Sequence, residues 1–264
     1  MALARGDTVT FLLRNPSSLE EDSALKPYLQ SGHAVFVQGD ATSQDDVRKA
    51  WGVASSKAPV DFVLVTIGEE CVLHVSDESN IGNKFLGAQD GKFHPFKGFI
   101  INPPNLCTIS VLNVLRAMAP TDLRPRLAVL AATGVTTASH RSLPLIMKPV
   151  YSWLLPNAFA DKRGMETIVH HALGKEYDAD QTPGSNILPE GWKDDLPPAG
   201  WLKSSVIIRP AMLTDGAMTK KYRVVLGDNF TSYTVSRSDV GHFIVEGLLP
   251  EWSKYEGNVV AIGY

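Results

Sequence analysis

Apolar residues along this chain fall into two kinds of run, and the two kinds alternate. Near-continuous apolar runs mark strands covered on both faces. They are read at Asp7–Leu13, Ala34–Gln38, Asp61–Ile67, Arg126–Ala132, Ser205–Arg209 and Asn258–Ile262. Between them apolar residues recur at +3, +4 and +7, one face of a helix. Val47, Ala50, Trp51 and Ala54 make the first such face, with Thr42 as its expected cap and Asp45 at N3. Val111, Leu112, Leu115 and Met118 make the next, within a helix read over Asn105–Ala119. Met165, Ile168, Val169 and Leu173 follow within Asp161–Leu173, and then Val240, Phe243, Ile244 and Leu248 behind a Ser238 cap. Strand–helix alternation of this kind predicts an α/β chain with a doubly wound parallel sheet.

The first strand is entered from a helix end. Leu3 and Ala4 suit a last helical turn and Gly6 suits its C′ stop. In Rossmann-type folds that pattern is the second half of the first βαβ unit. The first half is a strand and a Gly-rich turn that opens a helix and holds a pyrophosphate. The sequence therefore predicts an N-terminally truncated Rossmann-type sheet, with a gap between the strands at Val9 and Val63. Residues 1–264 are read as a single NAD(P)-binding Rossmann-like domain. Two long polar stretches, 69–98 and 174–200, interrupt the rhythm as loop insertions and are read as pocket or lid loops. Their aromatic residues Phe93, Phe96, Tyr177 and Trp192 hint at a flat or apolar ligand.

Composition narrows the field without naming a chemistry. A formal net charge of −3 gives no reason to expect a nucleic-acid partner. No membrane partner is expected either, because the longest apolar stretch, Leu143–Phe159, is broken by Pro144, Lys148, Pro149 and Pro156. Two cysteines, Cys71 and Cys107, without metal-type neighbours, and no signal-peptide pattern point to a cytoplasmic protein. The stretch Gly87 to Lys92 is one residue short of a P-loop and is followed by Phe93. His170 and His171 are adjacent and point to different helix faces, so no metal site is expected.

In open α/β sheets ligands bind outside the carboxyl ends of the strands. The first strand ends at Arg14, where an acid would bind the ribose hydroxyls of NAD and an arginine suits the extra phosphate of NADP. A solvated turn arginine is the plainer alternative. The second strand ends Gly39-Asp40-Ala41, the third Thr66-Ile67-Gly68 and the fourth Ala132-Thr133-Gly134, each equally consistent with ordinary turn chemistry. Lys162 and Glu166 stand i,i+4 on one helix. They read either as an exposed ion pair or as a cation placed for an oxyanion.

The segments ALARGDTVTFLLRNP, DFVLVTIG, RLAVLAATGVT, DKRGMETIVHHAL, SVIIRPAMLTDG and SRSDVGHFIVEGLL lie in one order. In that order they resemble the atypical short-chain dehydrogenases, the NAD(P)H-binding group that includes NmrA-like and flavin/biliverdin-reductase-like proteins. The resemblance implies an oxidoreductase that prefers NADP(H) over NAD(H) and reduces a small organic substrate. It places Arg14 at the 2′-phosphate, Asp40 and Ala41 at the adenine side, and Thr66 and Gly68 at the ribose. Thr133 and Lys162 fall at the nicotinamide and carry the expected catalytic roles, with Pro210 and Met212 at the ring's far edge. The Tyr-x-x-x-Lys pair of ordinary short-chain enzymes is absent, since Ala158 precedes Lys162 by four. Two alternatives stand beside the enzyme: a non-catalytic NmrA-like binding or regulatory protein, and a truncated inactive fragment. Oligomeric state is not legible.

Overall fold

A computed structural model describes residues 1–56, 58–67, 92–94, 98–119, 124–178 and 181–264. A 3-10 turn, Leu3–Arg5, stops at Gly6, whose φ of 90° lets its N–H reach the Leu3 carbonyl. The chain then enters β1 (Val9–Leu13), turns through α1 (Ser17–Glu20) and α2 (Lys26–Ser31), and returns as β2 (Ala34–Gln38). β1 and β2 are parallel, with Val9 opposite Ala34 and Leu13 opposite Gln38. Helix α3 (Gln44–Ser55) leads to β3 (Phe62–Val65). A short antiparallel hairpin, β4 (Lys92–His94) and β5 (Gly98–Ile100), precedes α4 (Leu106–Met118) and β6 (Arg126–Leu130). Helices α5 (Thr137–Arg141), α6 (Met147–Leu154) and α7 (Pro156–Leu173) lead to β7 (Ser205–Pro210) and β8 (Met212–Thr214). The chain ends through β9 (Arg223–Leu226), β10 (Thr234–Ser236), α8 (Arg237–His242), a π-helical turn at Phe243–Leu248, α9 (Trp252–Tyr255) and β11 (Val259–Gly263).

The main sheet has five strands in the order β3-β6-β7-β11-β9, parallel except for β9 at its edge. Alternation along its inner strands builds two cores. Leu127, Val129 and Ile207 face α4 and α7, meeting Val111, Leu115, Met118, Met165 and Ile168. Ala128, Val206 and Ile208 face the other way, onto Val240, Phe243, Leu248 and Trp252. That is a doubly wound sheet, and the expected α/β class holds. β1 and β2 form a separate two-stranded sheet. Among the described residues no strand joins β1 to β3. What ties the small sheet to the large one is α3 against α4, where the Asn113 amide donates to the Ala41 and Thr42 carbonyls at 3.0 and 2.9 Å.

The helix caps differ from expectation in an instructive way. Ser43, not Thr42, caps α3, its hydroxyl accepting from the Asp46 N–H at 3.3 Å. Thr42 is turned back onto Asp40 instead. Ser236, two residues before the expected Ser238, caps α8 by accepting from the Asp239 N–H at 3.0 Å. In both cases the cap is the residue with extended backbone immediately before the first turn. Helix α7 begins at Pro156, five residues before the expected start, because proline at the first helical position loses no internal hydrogen bond. The short strands β4, β5, β8, β9 and β10 carry too few residues for their period to show in sequence.

Candidate active site

Two clusters lie at the carboxyl ends of the strands. The first is at the tip of the small sheet. Arg14 is exposed just past β1, and Asp40 follows β2. The Asp40 carboxylate accepts from the Thr42 N–H and hydroxyl, both at 2.8 Å, while its own N–H donates to Asp46 at 2.8 Å. Partial burial works against the charge on Asp40. The two Thr42 bonds and the nearby Arg14 charge outweigh it and hold the carboxyl below its ordinary value. Arg14 and Asp40, expected on the same ligand end, are therefore electrostatic neighbours. The Ala41 carbonyl beside them is already taken by Asn113.

The second cluster is at the tips of β3, β6 and β7. Lys162, on α7, donates to the Ile67 carbonyl at 2.9 Å and to the Leu130 carbonyl at 2.8 Å. An ammonium has three donors, so two of them lock the ends of neighbouring strands. The Cys107 thiol also reaches the Ile67 carbonyl, at 3.3 Å. Its pKa is pushed up to about 12 by burial, against the opposing charge of Lys162, so it is no nucleophile at neutral pH. Thr133 is buried, and its N–H donates at 3.0 Å to the carbonyl of Pro210, also buried. Thr66 is exposed one residue before Ile67, and Met212 is partly exposed at the start of β8. The fold thus brings Lys162, Thr66, Thr133 and Pro210 to one edge, while Arg14, Asp40 and Ala41 sit on the other sheet. Gly68, Cys71, Phe96 and the stretch from Gly87 to Gly91 lie outside the described residues.

Glu166 does not pair with Lys162, so the reading as an exposed ion pair does not hold. It is fully buried, at 0% exposure, and its carboxylate takes the Arg209 fork: Nε at 2.8 Å and Nη2 at 2.7 Å. Arg209, at 2% exposure, also donates through Nη1 to Asp228, which accepts from the Thr136 hydroxyl at 3.1 Å. The Tyr177 hydroxyl donates to the second Glu166 oxygen at 3.2 Å. Burial works against the charge on Arg209, but Glu166 and then Asp228 outweigh it and hold the group above its ordinary range. Tyr177 is pushed up by burial and by the Glu166 charge, so it stays a phenol. Burial also lowers the pKa of His170, whose Nδ1 lies 2.8 Å from the Glu166 carbonyl oxygen. Sequence reasoning passed over Arg209 and Asp228 as site residues and took Tyr177 only as a pocket-loop aromatic. One signal was available: an arginine ending a strand apolar on both faces needs a carboxylate partner.

Asp161 has a structural task. Its carboxylate accepts from the Cys107 and Thr108 N–H groups at 2.7 and 2.8 Å, closing the first turn of α4 from a neighbouring helix. The 174–200 stretch is packed rather than hanging free where it is described. Ile187 and Leu188 are buried, Asn105 donates to the Ile187 carbonyl at 3.3 Å, and Asp195 pairs with Arg116 at 3.0 Å.

A mostly parallel, doubly wound sheet with polar groups gathered at its carboxyl edge defines a class of fold: it is Rossmann-like. No protein-family profile matches the sequence. Among individual proteins, it is similar to Reductase pytE of Aspergillus terreus, 28% identical over 279 residues, covering all of this chain and 91% of the relative. Two solved structures share the fold. ChuY, an anaerobillin reductase from Escherichia coli, superposes with a TM-score of 0.55 at 17% identity, covering 99% of this chain and 87% of its own. A short-chain dehydrogenase/reductase from Veillonella parvula, solved with NADP, gives a TM-score of 0.55 at 10% identity, covering 97% and 82%.

Proposed function

We propose that this protein is an NAD(P)H-dependent oxidoreductase of the atypical short-chain type that reduces a small organic substrate. The observation that carries the reading is the end-to-end similarity to Reductase pytE. The two clusters suit the two ends of a dinucleotide. Arg14, with Asp40 and Ala41, would hold the adenosine end, and the arginine favours the 2′-phosphate of NADP(H) over NAD(H). Thr66 and Gly68 would line the ribose, with Lys162 and Thr133 at the nicotinamide and Pro210 and Met212 along the ring. Between the ends a pyrophosphate needs backbone N–H donors at a helix start. A bound reduced nicotinamide supplies the hydride. The chain's part is to orient the acceptor and to hold positive charge near its oxygen: the third donor of Lys162 is suited to that task, its other two being fixed on Ile67 and Leu130.

The test is loss of NADPH absorbance with aldehyde, quinone and flavin acceptors, alongside calorimetric titration of NADPH and NADH. Lys162→Met is expected to lower turnover by ~10²–10³. A folded Lys162→Met protein with unchanged turnover refutes the role. Arg14→Ala is expected to shrink the preference for NADPH by about tenfold, the loss of one charge-assisted bond. Equal affinity for the two cofactors before mutation would show Arg14 to be a turn residue. The separate β1–β2 sheet favours one second reading, a non-catalytic binding protein, and titratable NADPH binding without turnover of any acceptor would support it.

A further inference from the structure

The turn that follows β6 is bonded at each of residues 133 to 136. The Thr133 N–H donates to the Pro210 carbonyl at 3.0 Å, and the Gly134 N–H donates to the Ser139 hydroxyl at 2.8 Å. Arg163 of α7 donates to the Val135 carbonyl at 3.2 Å. The Thr136 hydroxyl accepts from the Ser139 N–H and donates to Asp228, both at 3.1 Å. Gly134 has a φ of 88°, and a Cβ there would lie 2.9 Å from Leu143, so the turn has little freedom. An ordinary surface connection is looser than this. At the head of the turn stands Thr133. Its side chain is 4% exposed, and among the described residues its hydroxyl has no partner.

Asp228 and Arg209 carry this turn to the helix that bears Lys162. Asp228, in the loop after β9, accepts from Arg209 Nη1 as well as from Thr136. Arg209 in turn holds Glu166 through its fork, and Glu166 stands one helical turn after Lys162 on α7. A continuous line of hydrogen bonds therefore runs from the turn through Asp228, Arg209 and Glu166 into α7. Its two ends are Thr133 and Lys162, the side chains placed at the nicotinamide. A planar, charge-assisted fork fixes orientation as well as distance, and burial makes such a network stiff.

We propose that Thr136 and Asp228 are positioning residues of the reductase site, holding Thr133 in register with the Lys162 ammonium through Arg209 and Glu166. The proposal rests on the reductase reading. Each residue acts through its neighbours: Thr136 through the turn, Asp228 through Arg209. The Thr133 hydroxyl and the third donor of Lys162 are then preorganised as a pair toward one acceptor oxygen.

Thr136→Val keeps the shape of the side chain and removes its hydroxyl, whereas Thr136→Ser keeps the hydroxyl. In steady-state NADPH oxidation with aldehyde, quinone or flavin acceptors, Thr136→Val should lower kcat about tenfold and leave KM for NADPH within about twofold. Thr136→Ser should keep kcat within about twofold of the wild type. Asp228→Asn, at the other end of the same bond, should show the same split as Thr136→Val. An unchanged kcat in Thr136→Val or in Asp228→Asn overturns the proposal. So does an equal loss in Thr136→Ser, or a loss confined to KM. Deuterium exchange gives a readout independent of turnover: peptides covering the turn should exchange at least about fivefold faster in Thr136→Val, with β6 unchanged. A wild-type chain that reduces none of the acceptors refutes the reductase reading. Faster exchange of the turn in Thr136→Val would then still support the brace, and unchanged exchange would overturn it.

Discussion

Arg209 and Glu166 show what a single buried charge asks of its surroundings. Each is costly to desolvate, and the bidentate fork, the Tyr177 hydroxyl and Asp228 together satisfy most of their hydrogen-bonding capacity. The pair anchors α7 to β7 one helical turn from Lys162, so its geometry also sets where that ammonium sits. Removing one partner leaves the other buried and uncompensated, at a cost of ~3–5 kcal/mol. Glu166→Gln should therefore lower the melting temperature by about 10 °C in thermal unfolding. Arg209→Lys should do much the same, because an ammonium cannot span both Glu166 oxygens and Asp228. A shift of only about a degree would mean that the pair is not buried in solution.

At the scale of elements, polar side chains from one element finish another. Asp161 of α7 closes the start of α4, and Asn113 of α4 holds the loop after β2. Asp239 of α8 takes Thr219 and Lys220 N–H groups, the Thr219 hydroxyl and the Tyr264 hydroxyl, gathering the loop before β9 and the end of β11. Burial disfavours its charge, but the Tyr264 hydroxyl, then Lys220 and Thr219, outweigh that and hold the carboxyl well below the ordinary range. A folded pKa below the unfolded value means stability that is present above pH ~4 and lost as pH falls toward the folded pKa. Asp239→Asn should destabilise the protein by about 1.5–3 kcal/mol at neutral pH. In urea unfolding at a series of pH values that deficit should narrow below pH ~4. A deficit that stays constant into acid would show that the Asp239 charge is not what holds these loops.

At the scale of the molecule, cohesion is uneven. β6 and β7 are sandwiched between two cores, and Leu127, Ala128, Val129, Val206 and Ile208 have essentially no exposure. Every residue of β1 is only half-buried, and among the described residues β1 pairs with β2 alone. Local opening is easiest where few apolar contacts must break. Amides of β1 and β2 should exchange with deuterium well before those of β6 and β7 when followed by mass spectrometry of peptic fragments. Equal protection of the two sheets would show that the small sheet is held by more than α3 and Asn113.

The sequence by itself determined the class of fold, because period is a local property. The runs at Val9, Ala34, Phe62, Arg126, Ser205 and Val259 each became a strand, and the intervening stripes became α3, α4, α7 and α8. It also determined that strand tips would carry the polar candidates, since Arg14, Asp40, Thr66, Thr133 and Lys162 all stand at or over carboxyl ends. What only the tertiary structure decided is who partners whom. Lys162 and Glu166 share a helix edge in sequence, yet one reaches up to two strand carbonyls and the other down to Arg209. Spacing along one helix cannot reveal which neighbour a charge meets across a core. The caps moved for a related reason: which of two nearby hydroxyl residues closes a helix depends on the backbone turn before it.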